Sequence, residues 1–408
     1  MRGDGIKFCF SHGYSRLEIG FSFASVTRLP ALFSSPLRYI RARVQSIAMG
    51  QLSITRTKNL PSSTIPYIPY IPYTQATFAM PPSSFRMPAE WQPHRACLLL
   101  CPHNVGTFRL ARVRSQFLQV ARTIAAAAEE VILGCHDEAQ LIEYRELISK
   151  EDSLMIHCAL CPSNDSWARD TGPTFLLDRN DETKLQALDW DFNAYGGPSE
   201  GCYWPCEQDE QVASRFVEIF KTKHFIPAST SIRKIPLVLE GGSIHTDGQG
   251  TILTTAECLL NKNRNPDKSK EEIEAMVLQS TGCTKMIWLD LGLFGDEDTN
   301  GHIDNWACFV KPGHVVLAWT DDEENDAENY ARCRRSLVQL EAFNDAHGRF
   351  LKVHKLYLPS RMHYTEEEIE SLAVETPTAN NPAVVQPRQV GEILAGSYVN
   401  FYIANQAV

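Results

Sequence analysis

From about residue 85 to the end of the chain, short apolar runs alternate with stretches of helical periodicity. Runs of about four to eight residues bounded by turn formers read as strands. They are Ala96–Cys101, Glu130–Cys135, Leu154–Leu160, Pro173–Leu177, Leu185–Trp190, Pro236–Leu239, Thr251–Thr254, Met286–Leu291, Ala307–Val310, Val315–Trp319 and Leu351–Leu358. Helices are expected over Phe108–Ala128, His136–Ser149, Asp209–Lys221, Lys268–Gln279 and Asp326–Asn344. In the first of these Phe117, Val120, Ile124 and Ala128 recur at spacings of three or four, the stripe of a helix with one buried face. Residues Asp267 to Glu272 supply an N-cap and early acids to the fourth. Strands and helices mix throughout, so the class is α/β or α+β. No sequence repeat is visible.

The first 80 residues break this pattern. Residues 1–60 hold nine Lys/Arg but only two acids, Asp4 and Glu18. Such an Arg- and Ser-rich, acid-poor stretch suits a mitochondrial transit peptide, with Tyr39–Val44 as a short basic amphipathic turn; the alternative is an unstructured extension without a targeting role. Three copies of Ile-Pro-Tyr follow at 65–73. Proline at every third position favours polyproline II and forbids a central strand, so this reads as a linker. The expected division is a disordered extension over 1–80 and a globular domain over 81–408.

Composition narrows the classes. Hydrophobic residues make up 43% and charged residues 22% of the 408, which excludes a mainly disordered chain. No apolar run approaches the roughly 18 residues of a membrane helix. The net charge is −10, and the 348 residues after the basic stretch carry −17. That disfavours nucleic acid as a partner and suits attraction of a cationic ligand. The twelve cysteines are scattered and no secretory leader precedes them, which points to reduced thiols in a cytoplasmic protein. Cys158-x2-Cys161 and Cys202-x3-Cys206 have metal-ligand spacing. They form a zinc site only if the fold unites them, and a buried cysteine otherwise behaves as a small hydrophobe.

Four segments depart from packing patterns. Asn164–Pro173 sets two carboxylates, a guanidinium and an indole between two strands; Arg169 could equally pair with an acid to hold a loop, with Trp167 as packing. Leu239-Glu240-Gly241-Gly242-Ser243-Ile244-His245 brings Glu240 to a strand end, where two glycines permit close approach; it matches neither phosphate-loop pattern. In Asn300–Trp306, His302 and Asp304 lie two apart and share a face if the chain is extended. A histidine beside a carboxylate is a general acid/base unit, with a metal ligand or a core histidine as alternatives. The acidic runs Asp296–Asp298 and Asp321–Glu324 are surface-like, although those near His302 could hold a cation. Together these segments suit a planar cation: paired acids bind a guanidinium in bidentate fashion, Trp167 covers its face and His302 moves protons. Hydrolysis at the guanidinium carbon would call for a cysteine thiolate.

Met87-Pro88-Ala89-Glu90-Trp91, Asn164–Pro173, Trp190–Gly197, Leu239–Gly242 and Gly301-His302-Ile303-Asp304 resemble the agmatine deiminases, within the wider porphyromonas-type peptidyl-arginine deiminase family, from about residue 85 to the last. The resemblance implies the pentein fold, a five-fold pseudosymmetric α/β propeller with the site on its axis. It implies hydrolysis of agmatine to N-carbamoylputrescine and ammonia in putrescine biosynthesis, without cofactor or metal, with no nucleic-acid or membrane partner and with a homodimer as the candidate assembly. By the same resemblance Asp170 and Asp304 bind the guanidinium beside Trp167, Glu240 is the strand-end acid, and His302 is the general acid/base.

One departure stands out. The family nucleophile is a cysteine in a segment of the type Gly-Asn-Ile-His-Cys, and these 408 residues contain none. Ser397–Asn405 resembles the family strand before the last module. Cys308, near His302, reads as a core residue of an apolar strand. The expectation is therefore an incomplete final module, an exposed last strand edge and no deiminase activity from these residues. The alternatives are a deiminase of peptidyl or free arginine, or a protein that binds guanidines without turnover.

Overall fold

The computed structural model describes residues 5–8, 83–372 and 384–408. The Tyr39–Val44 and Ile-Pro-Tyr readings therefore lie outside the described residues.

Four sheets carry the core. The first is parallel: Gly5–Phe8 pairs with His94–Leu100, which pairs with Glu130–Cys135, which pairs with Ile156–Leu160. Its strands His94–Leu100 and Glu130–Cys135 are apolar on both faces because both are covered. Cys97, Leu99, Val131 and Leu133 pack against Phe117 and Ile124 of helix Leu110–Ala126. Leu98, Leu100 and Ile132 point the other way, into Phe216 and Phe220 of helix Val212–Thr222.

The other three sheets repeat one plan: an antiparallel hairpin, a helix, then a third strand parallel to the second hairpin strand. The first copy is Thr174–Asp178, Leu185–Asp191, helix Val212–Thr222 and Ser231–Val238. The second is Ile244–Thr246, Thr251–Thr255, helix Lys270–Thr281 and Lys285–Leu289. The third is Ala307–Lys311, His314–Trp319, helix Ala327–Ala342 and Lys352–Tyr357. The chain is thus α/β with mixed sheets. The helix of the second copy begins on a reciprocal capping box between Ser269 and Glu272, inside the segment expected to cap it but two residues after the expected start at Lys268.

The segment expected to form a strand over Ser397–Asn405 is irregular instead. Side chains replace a ladder there. Asn405 accepts from the His94 backbone N–H at 2.7 Å and donates to the His94 carbonyl at 2.8 Å, while Val399 enters the core of the third repeat. No helix among the described residues is long and apolar enough to cross a membrane.

Candidate active site

Each of the three repeats is preceded by a short helical turn. Ala168–Thr171 leads into the strand at Thr174, Gly241–Ser243 into that at Ile244, and Ile303–Asn305 into that at Ala307. The five candidate residues sit on or beside these turns: Trp167 and Asp170 at the first, Glu240 at the second, His302 and Asp304 at the third. All five are buried.

The turns meet at Gly242. A β-carbon built there would lie 2.6 Å from His302 Nδ1, 2.7 Å from Asp304 Oδ2 and 2.9 Å from Asp170 Oδ1. Only glycine lets three polar groups close on one backbone position. Gly241 presses as tightly on the Arg169 carbonyl. Arg169 itself pairs with Glu90 at 2.6 Å, the loop-holding role its sequence allowed.

His302 stands between two carboxylates, with Nε2 3.7 Å from Glu240 Oε2 and Nδ1 4.0 Å from Asp170 Oδ1. The two are stabilised differently. Glu240 Oε1 accepts from Arg264 Nε at 2.6 Å, and neither side chain is exposed to solvent. Burial alone would raise the Glu240 pKa, but Arg264 and then His302 outweigh it and hold the group at about 2. Asp170 has neutral donors, the Gly242 N–H at 2.8 Å and the Tyr195 hydroxyl at 2.9 Å. Burial dominates, and its pKa is raised. For His302, burial favours the neutral ring, but Cys258, Glu240 and Asp170 around it reverse that and hold it as imidazolium.

The segment around His302 and Asp304 is not extended, contrary to the sequence expectation; residues 303–305 form a tight turn. Asp296 causes this. Its carboxylate accepts from the His302 N–H at 3.1 Å, the Thr299 hydroxyl at 2.6 Å and the Asn305 amide at 3.1 Å. The acidic run thus positions the histidine from behind. Its neighbour Asp298 is clamped by both terminal nitrogens of Arg388 at 2.6 Å.

Trp167 packs with Phe192, Ala194, Tyr195 and Tyr203, its ring 5.4 Å from Phe108. It also lines a cleft of about 250 Å³ together with Asp165, Asp296, Glu297, Asp298 and Arg388. The charged lining is acidic in balance, with Glu392 a fifth carboxylate against the guanidinium of Arg388.

Sequence reasoning missed Arg264, Tyr195 and Cys258. Arg264 lies in an Asn-rich loop that looks like surface, yet it donates to Glu240, the Asn300 side chain and the Thr299 carbonyl. Tyr195 was inside a quoted motif, but nothing in its spacing pointed to Asp170. Cys308 is a core residue, as read from sequence. The two cysteine pairs with metal-like spacing are not united, since Cys161 and Cys206 lie in separate cores. Among the described residues, the cluster with metal-ligand geometry is Glu240, Cys258 and His302.

Residues 86–408 match the family described as Porphyromonas-type peptidyl-arginine deiminase. The chain belongs to that family. It is 42% identical over 325 residues to an agmatine deiminase of Ectopseudomonas mendocina, covering 79% of this chain and 82% of that relative. An agmatine deiminase of Pseudomonas aeruginosa is 41% identical over 324 residues with the same coverage. Among solved structures, the agmatine deiminase of Enterococcus faecalis superposes with a TM-score of 0.67 at 34% identity, over 79% of this chain and 82% of that one.

Proposed function

We propose that this chain carries the site of an agmatine deiminase-type hydrolase, built to take agmatine for conversion with water into N-carbamoylputrescine and ammonia, and that these 408 residues, without the nucleophilic cysteine, bind it without turnover. The observation that carries the reading is the convergence on Gly242, in the turn before the second repeat, of Asp170 from the turn before the first and of His302 and Asp304 from the turn before the third. The three copies of the hairpin–helix–strand plan support a propeller of five such blades, with this point on its axis.

In this reading Asp170 and Asp304 take the guanidinium through paired charge-assisted hydrogen bonds. Trp167 closes one side, and the acidic cleft beside it receives the distal ammonium. His302 gives a proton to the departing ammonia and then takes one from the attacking water. Glu240, fixed by Arg264, keeps His302 charged until that transfer. Covalent attack on the guanidinium carbon also needs a thiolate, and these 408 residues hold no Gly-Asn-Ile-His-Cys segment.

The test therefore separates binding from turnover. Calorimetry of the purified chain should show agmatine binding that Asp304→Asn removes, together with no ammonia release. Failure to bind agmatine, or equal binding by the variant, would overturn the site. Robust ammonia release would overturn the expected inactivity and leave the site standing. Free arginine and an arginyl peptide, run alongside, should bind more weakly than agmatine.

A further inference from the structure

Beside His302 and Glu240 lies a thiol, Cys258, that the deimination reading does not use. Cys258 sits on the short helix Ala256–Leu259 and is fully buried. Its sulfur, one nitrogen of His302 and one oxygen of Glu240 all lie within 4.8 Å of one another. The Glu240 Oε2 and His302 Nε2 atoms are 3.7 Å apart, too far for a hydrogen bond, and both are buried without a hydrogen-bond partner. Arg264 holds the other oxygen of Glu240 and so aims Oε2 into the cluster.

We infer that Glu240, Cys258 and His302 form a binding site for a soft divalent cation, zinc above others. Thiolate, imidazole and carboxylate together are a zinc donor set, and three protein ligands leave a fourth position open. Ligands of a tetrahedral zinc ion lie roughly 3.3–3.6 Å apart, so the pair at 3.7 Å is already at that spacing. The sulfur needs to move by about an ångström or less. Coordination replaces two protons, that of the Cys258 thiol and one from the His302 imidazolium, and both leave to solvent. An ion at this place removes His302 from proton transfer, so the site is an off-switch rather than part of catalysis.

The test needs no turnover and stands whether or not the chain hydrolyses agmatine. The full chain is stripped with a chelator and titrated with zinc by calorimetry, with bound metal counted by elemental analysis. One zinc per chain is expected. Cys258→Ala should weaken it at least about 100-fold, while Cys308→Ala leaves it unchanged. A second thiol cluster, with Cys101 and Cys135 sulfurs 3.8 Å apart, is the competing holder. Loss of zinc in Cys135→Ala with retention in Cys258→Ala would overturn the assignment, as would a wild-type chain that binds none. Should Cys258→Ala fail to fold, the unaltered chain still decides. Cadmium must bind with a thiolate charge-transfer band in the ultraviolet and magnesium must not; cadmium without that band refutes the site.

Discussion

The two sides of His302 use carboxylates in opposite ways. On one side Glu240 is joined to Arg264, both side chains fully buried, and its charge is answered within the protein. On the other, Asp170 accepts its hydrogen bonds from a backbone N–H and a phenol, and burial pushes its pKa up against the pull of His302 4.0 Å away. One carboxylate is held charged by a buried guanidinium; the other is costlier to ionise, and a bound cation favours its charged form. A site that pairs every charge internally would have nothing left to offer a guanidinium. Asp170 is thus the half of the site that waits for substrate, and Glu240 the half that keeps the histidine ready.

The largest effect that bears on this contrast is loss of Arg264. Arg264→Ala strands a buried carboxylate and should cost about 3–5 kcal/mol in urea unfolding, whereas Glu240→Gln combined with Arg264→Met should recover most of it. Next, Asp170→Asn should weaken agmatine binding by about 2–5 kcal/mol in calorimetry while leaving unfolding stability unchanged or higher. Equal destabilisation by Arg264→Ala and Asp170→Asn would erase the distinction. Gly242→Ala, which meets three polar atoms at under 3 Å, should cost about 1–3 kcal/mol of stability and lose binding. A separate signal is in acid. Glu240 has its pKa lowered from 4.5 to about 2, so its contribution is full above pH 4.5 and is lost as pH falls toward 2. Melting curves of wild type should fall over that window, and those of the Glu240→Gln, Arg264→Met double variant should lack this component.

The strands and helices were legible wherever burial imposes a period. The parallel strand Glu130–Cys135 was read to the residue because five of its six positions are buried, so the apolar run marks its ends. Pro236–Leu239 was read too short. The strand begins at Ser231, but its first four residues are exposed and three of them, Ser231, Arg233 and Lys234, are polar, so a lone Ile232 marks no apolar run. Ile244–Thr246 was missed because it is three residues long and carries a buried histidine. The repeated architecture was invisible for a related reason. Its copies share turn geometry rather than residues: Ala-Arg-Asp-Thr, Gly-Gly-Ser and Ile-Asp-Asn fill the same place. Trp167, Asp170, Glu240, His302 and Asp304 stood out because their chemistry is out of place in packing patterns. Arg264 did not, since a buried arginine is recognisable only by the acid it meets in space.

The meeting of three turns at one glycine also bears on how the molecule moves. Asp170 and Gly242 are 72 residues apart and hydrogen-bonded, so the cavity exists only while separate repeats stay docked. A guanidine held there is then a rivet through three plates. Hydrogen exchange in the hairpins at Thr174–Asp191, Ile244–Thr255 and Ala307–Trp319 should slow together when agmatine is added, although the ligand touches only the turns before them.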